Sequence, residues 1–210
     1  MHRPAQRIRC PAVNIRMITI GAILLGLFGQ PAAAAEGGSK ELAAMLIERG
    51  GVSRGILAVL GGDDALPIEL ARASEMFVHV RQPAADRVTS LRNQADEVAF
   101  GIGRLAVEQG AIDKLPYADN VVDVVVATQI APDALGTLSA GEILRVLRPE
   151  GVAIIGKAGG DDGAVEKLKA WSEDGGAQDI EAWSDPHGAW VRFSKPPLEG
   201  ADDWSHWEHS

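Results

Sequence analysis

Apolar positions along this chain follow two rhythms. Short unbroken blocks bounded by Gly, Asp or Pro predict strands buried on both faces, and apolar positions recurring every third or fourth residue predict amphipathic helices. The clearest block is Val121 to Ala127 (VVDVVVA), approached through the polar turn Ala118-Asp119-Asn120. A β-branched run of this kind reads as a strand of a parallel sheet with cover on both sides. Ser139 to Leu147 follows, with Ile143, Leu144 and Leu147 at helical spacing. Arg145 and Arg148 fall towards its end, where cations suit the helix dipole. Pro149 is expected to stop this helix, Gly151 to supply a turn, and Val152 to Ile155 to form the next strand. Strand, helix and strand at this length make a βαβ crossover, which requires a parallel sheet.

The same rhythms extend both ways. Glu36 to Lys40 reads as a polar linker, and Glu41 to Arg49 as a helix with Leu42, Met45 and Leu46 on one side, ended by Gly50-Gly51. Strands are expected at Gly55 to Leu60, Met76 to Val80 and Arg104 to Glu108, with helices near Leu66 to Ala73 and Pro83 to Asn93 between them. Downstream, Asp161 to Trp171 places Val165, Leu168 and Trp171 on one helical face. Asp179 to Trp183 and Ala189 to Phe193 flank Asp185-Pro186-His187-Gly188, a hairpin signal. Trp171, Trp183 and Trp190 then belong to the core. The fold expected is α/β, with a mostly parallel sheet and a C-terminal hairpin.

Charge narrows the partners. The 210 residues carry a formal net charge of −9. Residues 1–35 hold four arginines and no acid, so the remainder stands at −13. An acidic chain of this kind makes a nucleic-acid partner unexpected. Those 35 residues read as a signal peptide: Arg3, Arg7, Arg9 and Arg16, then the apolar Met17 to Phe28, then Ala33-Ala34-Ala35 as a cleavage site before Glu36. The apolar run is too short to span a bilayer; the alternative is an anchor that is never cut. Export to the periplasm or the outside is expected, with no membrane span after cleavage. Cys10 would leave with the peptide, and the remainder has no cysteine for a disulfide or a thiolate metal site.

LPYADNVVDVVVA followed by EILRVLRPEGVAII resembles the fourth strand, connecting helix and fifth strand of class I S-adenosylmethionine-dependent methyltransferases of type 11. The resemblance covers roughly residues 40 to 195. It implies a three-layer Rossmann-like methyltransferase fold with a seven-stranded sheet, a domain over 36–195, and S-adenosylmethionine as cofactor over the carboxyl ends of the strands. The residues it implies for the cofactor are Leu60, Gly61, Gly62, Asp63, Gln82, Pro83, Ala111, Ile112 and Thr128.

Several of those positions depart from the family. Its first strand ends in an acid followed by a spaced glycine loop; here Val59 takes the acid's place, and Gly61-Gly62-Asp63-Asp64-Ala65 the loop's. An ordinary strand-to-helix turn with Asp63 or Asp64 as N-cap is the alternative. Gln82 lies nearest the acid that would hold the ribose hydroxyls, Asp86 reads as a solvated charge, and Arg81 as a solvated edge charge or, alternatively, a partner for a carboxylate. Ala111 stands where an acid would meet the adenine amino group, with Asp113 two residues on. Thr128-Gln129 falls where the family places substrate-side residues. Leu115-Pro116-Tyr117 matches the family but shapes the approach to the fourth strand.

Two function classes follow. One is a methyltransferase acting on an unknown small acceptor, its cofactor site degenerate and its affinity for S-adenosylmethionine weak or lost. The other is a catalytically inactive exported binding or assembly module. A nicotinamide dehydrogenase is disfavoured, because Gly61 to Leu66 lacks Gly-x-Gly-x-x-Gly and Gln82 is not an acid. The chain contains no Ser-His-Asp or phosphate-cradling Gly-Lys-Ser arrangement. His79 reads as a packed strand histidine. Residues 196–210 form an acidic tail with Trp204 and Trp207, suited to docking; Asp202, Asp203, His206 and His209 there are more simply solvated than metal ligands. The junction at Lys195-Pro196-Pro197 resembles one in exported planctomycete-type proteins, where a pyrroloquinoline-quinone-like β-propeller follows. That resemblance implies a downstream or separate propeller as partner.

Overall fold

The computed structural model describes residues 31–62, 65–130, 132–158 and 162–197. The apolar blocks form seven strands: β1 (Ile56–Leu60), β2 (Phe77–Gln82), β3 (Leu105–Gln109), β4 (Val122–Ala127), β5 (Leu147–Ala158), β6 (Gln178–Asp185) and β7 (Gly188–Ser194). Among the described residues five α-helices connect or flank them: α1 (Pro31–Gly50), α2 (Leu66–Ala73), α3 (Ala85–Glu97), α4 (Ala140–Val146) and α5 (Asp162–Asp174). The strand order is β3-β2-β1-β4-β5-β7-β6. The first five strands pair in parallel, and β7 pairs antiparallel with both β5 and β6. This is the three-layer α/β fold expected from the sequence.

Alternation along β4 shows why its sequence is almost wholly apolar. Val124 and Val126 enter the core shared with Leu46, Leu66, Leu70 and Leu91. Val125 and Ala127 enter the opposite core, with Ile143, Leu168 and Phe193. A central strand between two helical layers has no solvent face on which to place polar residues. The hairpin turn is held by Asp185, whose carboxylate accepts from the His187 and Gly188 amides at 2.8 and 3.1 Å. The Trp183 and Trp190 indoles donate to the same carboxylate. Burial pushes the Asp185 carboxyl up, and these four donors together outweigh it, holding the group below its usual range.

Three expectations are corrected. The polar linker at Glu36 to Lys40 is helical: α1 starts at Pro31 and runs through Ala32 to Ala35 into Leu42, Ala43 and Leu46, which are buried. Pro is compatible with the first helical position and alanine is the strongest helix former, so the turn propagates. Residues 1–30 lie outside the described residues. The helix before Pro149 ends earlier than expected, at Val146, because Leu147 already pairs with Val122 on β4. Gly151 is accordingly part of β5 and supplies no turn. A register shift between Val122 and Val124 takes up the extra residues, with Glu150 in the left-handed region. Arg148 therefore leaves the helix end and meets Asp123 on β4, Nε to Oδ1 at 2.6 Å.

α4 also fixes the loop that borders the carboxyl ends of the strands. The Ser139 hydroxyl caps it by accepting from the Glu142 amide at 3.2 Å. Glu142 in turn accepts from the Leu115 amide at 2.8 Å, and Arg145 donates to the Leu115 and Tyr117 carbonyls. The segment between β3 and β4, which has no helix of its own, is thereby tied down.

Candidate functional site

Parallel register brings the ends of β1, β2, β3 and the start of the segment after β4 to one edge. Leu60 stands opposite Arg81, and Gln82 opposite Gln109. The chain leaves β1 through Gly61 and Gly62, whose φ angles are 66° and 98°, conformations that other residues adopt only under strain. The Gly61 amide donates to the Arg81 carbonyl at 2.8 Å. The Gly62 carbonyl accepts from the Arg87 guanidinium at 2.7 Å, and from the Gln82 amide at a long 3.5 Å. Asp63 and Asp64 lie outside the described residues.

Thr128 leaves β4 facing this turn. It is 1% exposed, and its hydroxyl makes no hydrogen bond among the described residues. A Cβ placed on Gly62 would stand 3.7 Å from Thr128 Oγ1, so the two residues are in ordinary contact range. Gln129, the next residue, is exposed and forms an isolated antiparallel bridge with Lys157. The expected Thr128-Gln129 pair therefore points to different surroundings.

The β2–β3 half of the edge is arranged differently from the sequence expectation. Gln82 is buried, and its side chain turns back on the main chain: Oε1 accepts from the Ala84 amide at 3.3 Å. Pro83 and Ala111 are exposed at the rim, Ile112 is half-buried against the second core, and Asp113 is exposed. Between them lies Arg81, whose side chain is 14% exposed and ion-paired to Glu108 of β3 at 2.9 Å. The ion pair lacks hydrogen-bond alignment at the same nitrogen, Nη1. Arg81 Nε donates to the Ala111 carbonyl at 3.3 Å. Its guanidinium lies so close over Gly110 that a Cβ there would stand 2.1 Å from Cζ. Of the two readings of Arg81, pairing with a carboxylate is the one that the structure shows, and the partner, Glu108, comes from the neighbouring strand.

A polar pair continues along the same face. His79 Nδ1 lies 2.7 Å from the Tyr117 hydroxyl, and Nε2 lies 3.5 Å from Glu108. Burial lowers the His79 pKa, with Glu108 opposing and Arg81 adding to the shift. Burial likewise pushes the Tyr117 phenol above its usual range. In the tautomer with the imidazole proton on Nε2, towards Glu108, the Tyr117 hydroxyl donates to Nδ1. His79 is thus the packed strand histidine expected, and Tyr117 meets it edge-on at 5.4 Å between ring centroids, a contact that no local sequence pattern signals.

A separate open cleft of about 880 Å³ runs between α1 and α3 over α2, lined by Lys40, Ile68, Arg72 and Glu97 among others. It shares no lining residue with the edge just described. Among the described residues no group of three or more His, Cys, Asp or Glu is placed to hold a metal ion.

Residues 62–155, just under half the chain, match the family profile described as a methyltransferase domain. No curated protein matches the chain. Among solved structures, it is similar to a Methanococcus maripaludis protein described as a "putative s-adenosyl-l-methionine-dependent methyltransferase", with TM-score 0.69, 19% identity, and coverage of 79% of this chain and 88% of that one. It is similar also to an S-adenosylmethionine-dependent methyltransferase from Aquifex aeolicus, at TM-score 0.58 and 14% identity, covering 76% and 96%. A third, the [4+2]-cyclase SpnF, aligns at TM-score 0.62 and 19% identity, covering 75% and 82%. The chain therefore carries the fold of the S-adenosylmethionine-dependent methyltransferases, and its residues 62–155 match their methyltransferase domain.

Proposed function

We propose that this chain is a member of the class I methyltransferases whose nucleoside site has degenerated, and that it serves as an exported binding or assembly module without methyl transfer. The observation that carries this reading is the state of the β2–β3 edge. Where the family resemblance implies an acceptor for a ribose, the Gln82 amide is engaged with Ala84 and Gly62, and Arg81 occupies the space beside Gly110 and Ala111. The absence of a carboxylate at Gln82 and Ala111, together with the seated Arg81 side chain, supports poor accommodation of an adenosine there. The turn at Gly61–Gly62 and the unpartnered Thr128 hydroxyl still offer a seat for a small polar ligand.

Magnitude supports loss of affinity. A missing hydrogen bond to a charged acceptor costs about 1.5–3 kcal/mol, so two such losses move a micromolar ligand towards millimolar. The cyclase among the similar structures illustrates that this fold is not tied to one chemistry. Calorimetric titration of the chain with S-adenosylmethionine and S-adenosylhomocysteine tests the reading. No binding heat is expected up to millimolar ligand; low-micromolar binding would restore the alternative, an active methyltransferase of an unknown small acceptor.

Export is part of the proposal and rests on the arginines, the apolar run and Ala33 to Ala35. Fractionation of cells making the full chain should place a product beginning at Glu36 outside the cytoplasm. An intact N-terminus found in the cytoplasm would refute it. A β-propeller is the partner implied by the junction at Lys195, for which the tail would be the docking segment; residues 198–210 lie outside the described residues.

A further inference from the structure

We infer that Arg81 is the residue that closes the nucleoside half of this edge, its guanidinium standing where a purine nucleoside would otherwise lie. The inference rests on the degenerate-site reading above and names the side chain responsible. Three contacts seat the group: Nε on the Ala111 carbonyl, Nη1 against Glu108, and the planar face over Gly110. Glu108 is half-exposed and lies opposite Arg81 in the β2–β3 register, so the ion pair follows from strand pairing rather than from loop conformation. A side chain held in this way takes up the room beside Gly110, and it brings a donor-only cation to a position where a ribose diol would need an acceptor. Gly110 has no left-handed φ to require a glycine, so what its missing side chain leaves free is the room that the guanidinium takes.

Removing the guanidinium should therefore open the seat while leaving the cores untouched, because Arg81 belongs to neither. The test is calorimetric titration of wild type and R81A with S-adenosylhomocysteine and with adenosine, alongside thermal unfolding of both proteins. R81A is expected to bind both ligands at least about tenfold more tightly than wild type. A folded R81A that binds neither better than wild type overturns the role of Arg81 and leaves the degenerate-site reading standing. Low-micromolar binding by wild type overturns both. Should R81A not fold, arginine-selective labelling of the wild type by phenylglyoxal with peptide mass mapping decides the matter. Arg81, 14% exposed, should label far more slowly than Arg54, 78% exposed. Equal rates would mean that the guanidinium is not seated on Gly110, and the inference falls.

Discussion

Trp190→Ala is expected to lower the unfolding free energy by about 3–5 kcal/mol, read as a fall in the urea midpoint. Trp190 is 0% exposed and stands on β7 between Gly156 of β5 and Trp183 of β6. Truncation would empty the volume of an indole where strands on both sides are already paired and have little freedom to collapse. It would also remove the donor that reaches Asp185 Oδ1 at 3.2 Å and helps to hold the hairpin turn. Trp190→Phe separates the two effects. It keeps most of the packed volume and forfeits the hydrogen bond, so a loss of about 1 kcal/mol is expected. A Trp190→Ala protein within 1 kcal/mol of wild type would mean that the hairpin does not cover the sheet.

The second large effect is at the amino ends of the central strands. Asp123→Ala should cost about 2–3 kcal/mol, measured in the same way. One carboxylate there ties three strands: Oδ2 accepts from the Ile56 amide of β1 at 2.7 Å, and Oδ1 from Arg148 of β5 at 2.6 Å. Alanine would leave a backbone donor and a guanidinium without their acceptor. Most of the loss should come from the backbone donor, because Arg148 is 37% exposed and water can replace its partner. Asp123→Asn preserves an acceptor for Ile56 while discharging the ion pair, and about 1 kcal/mol or less is expected for it. Equal losses in the two variants would show that the charge, rather than the bond to Ile56, secures these strands.

Both residues illustrate which features were legible before the structure. The strand expected over Val121 to Ala127, observed as Val122–Ala127, and the Asp185 to Gly188 turn each declare themselves within a few neighbouring residues, and each formed as expected. Trp190 was expected in the core. Asp123, a polar residue inside an apolar run, gave no sign of its partners, because Ile56 and Arg148 reach it only once β1, β4 and β5 are side by side. The site shows the same division. Leu60, Gly61, Gly62, Gln82, Pro83 and Thr128, which the family resemblance singled out, lie at the carboxyl ends of β1, β2 and β4. Which of their polar groups are still free was not legible in the sequence.

From local pattern alone the chain already specified a doubly covered parallel sheet with a closing hairpin, since strand and helix periods and turn residues act over short range. Tertiary contact decided the rest. Pairing with Val122 drew Leu147 out of the helix and into β5, overriding the expected stop at Pro149. The β2–β3 register set Arg81 against Glu108, 27 positions away, and turned an apparent surface charge into a partly buried ion pair beside Gly110. Local propensity cannot foresee either outcome, because the competing free energy comes from residues distant in the chain and adjacent only in the fold.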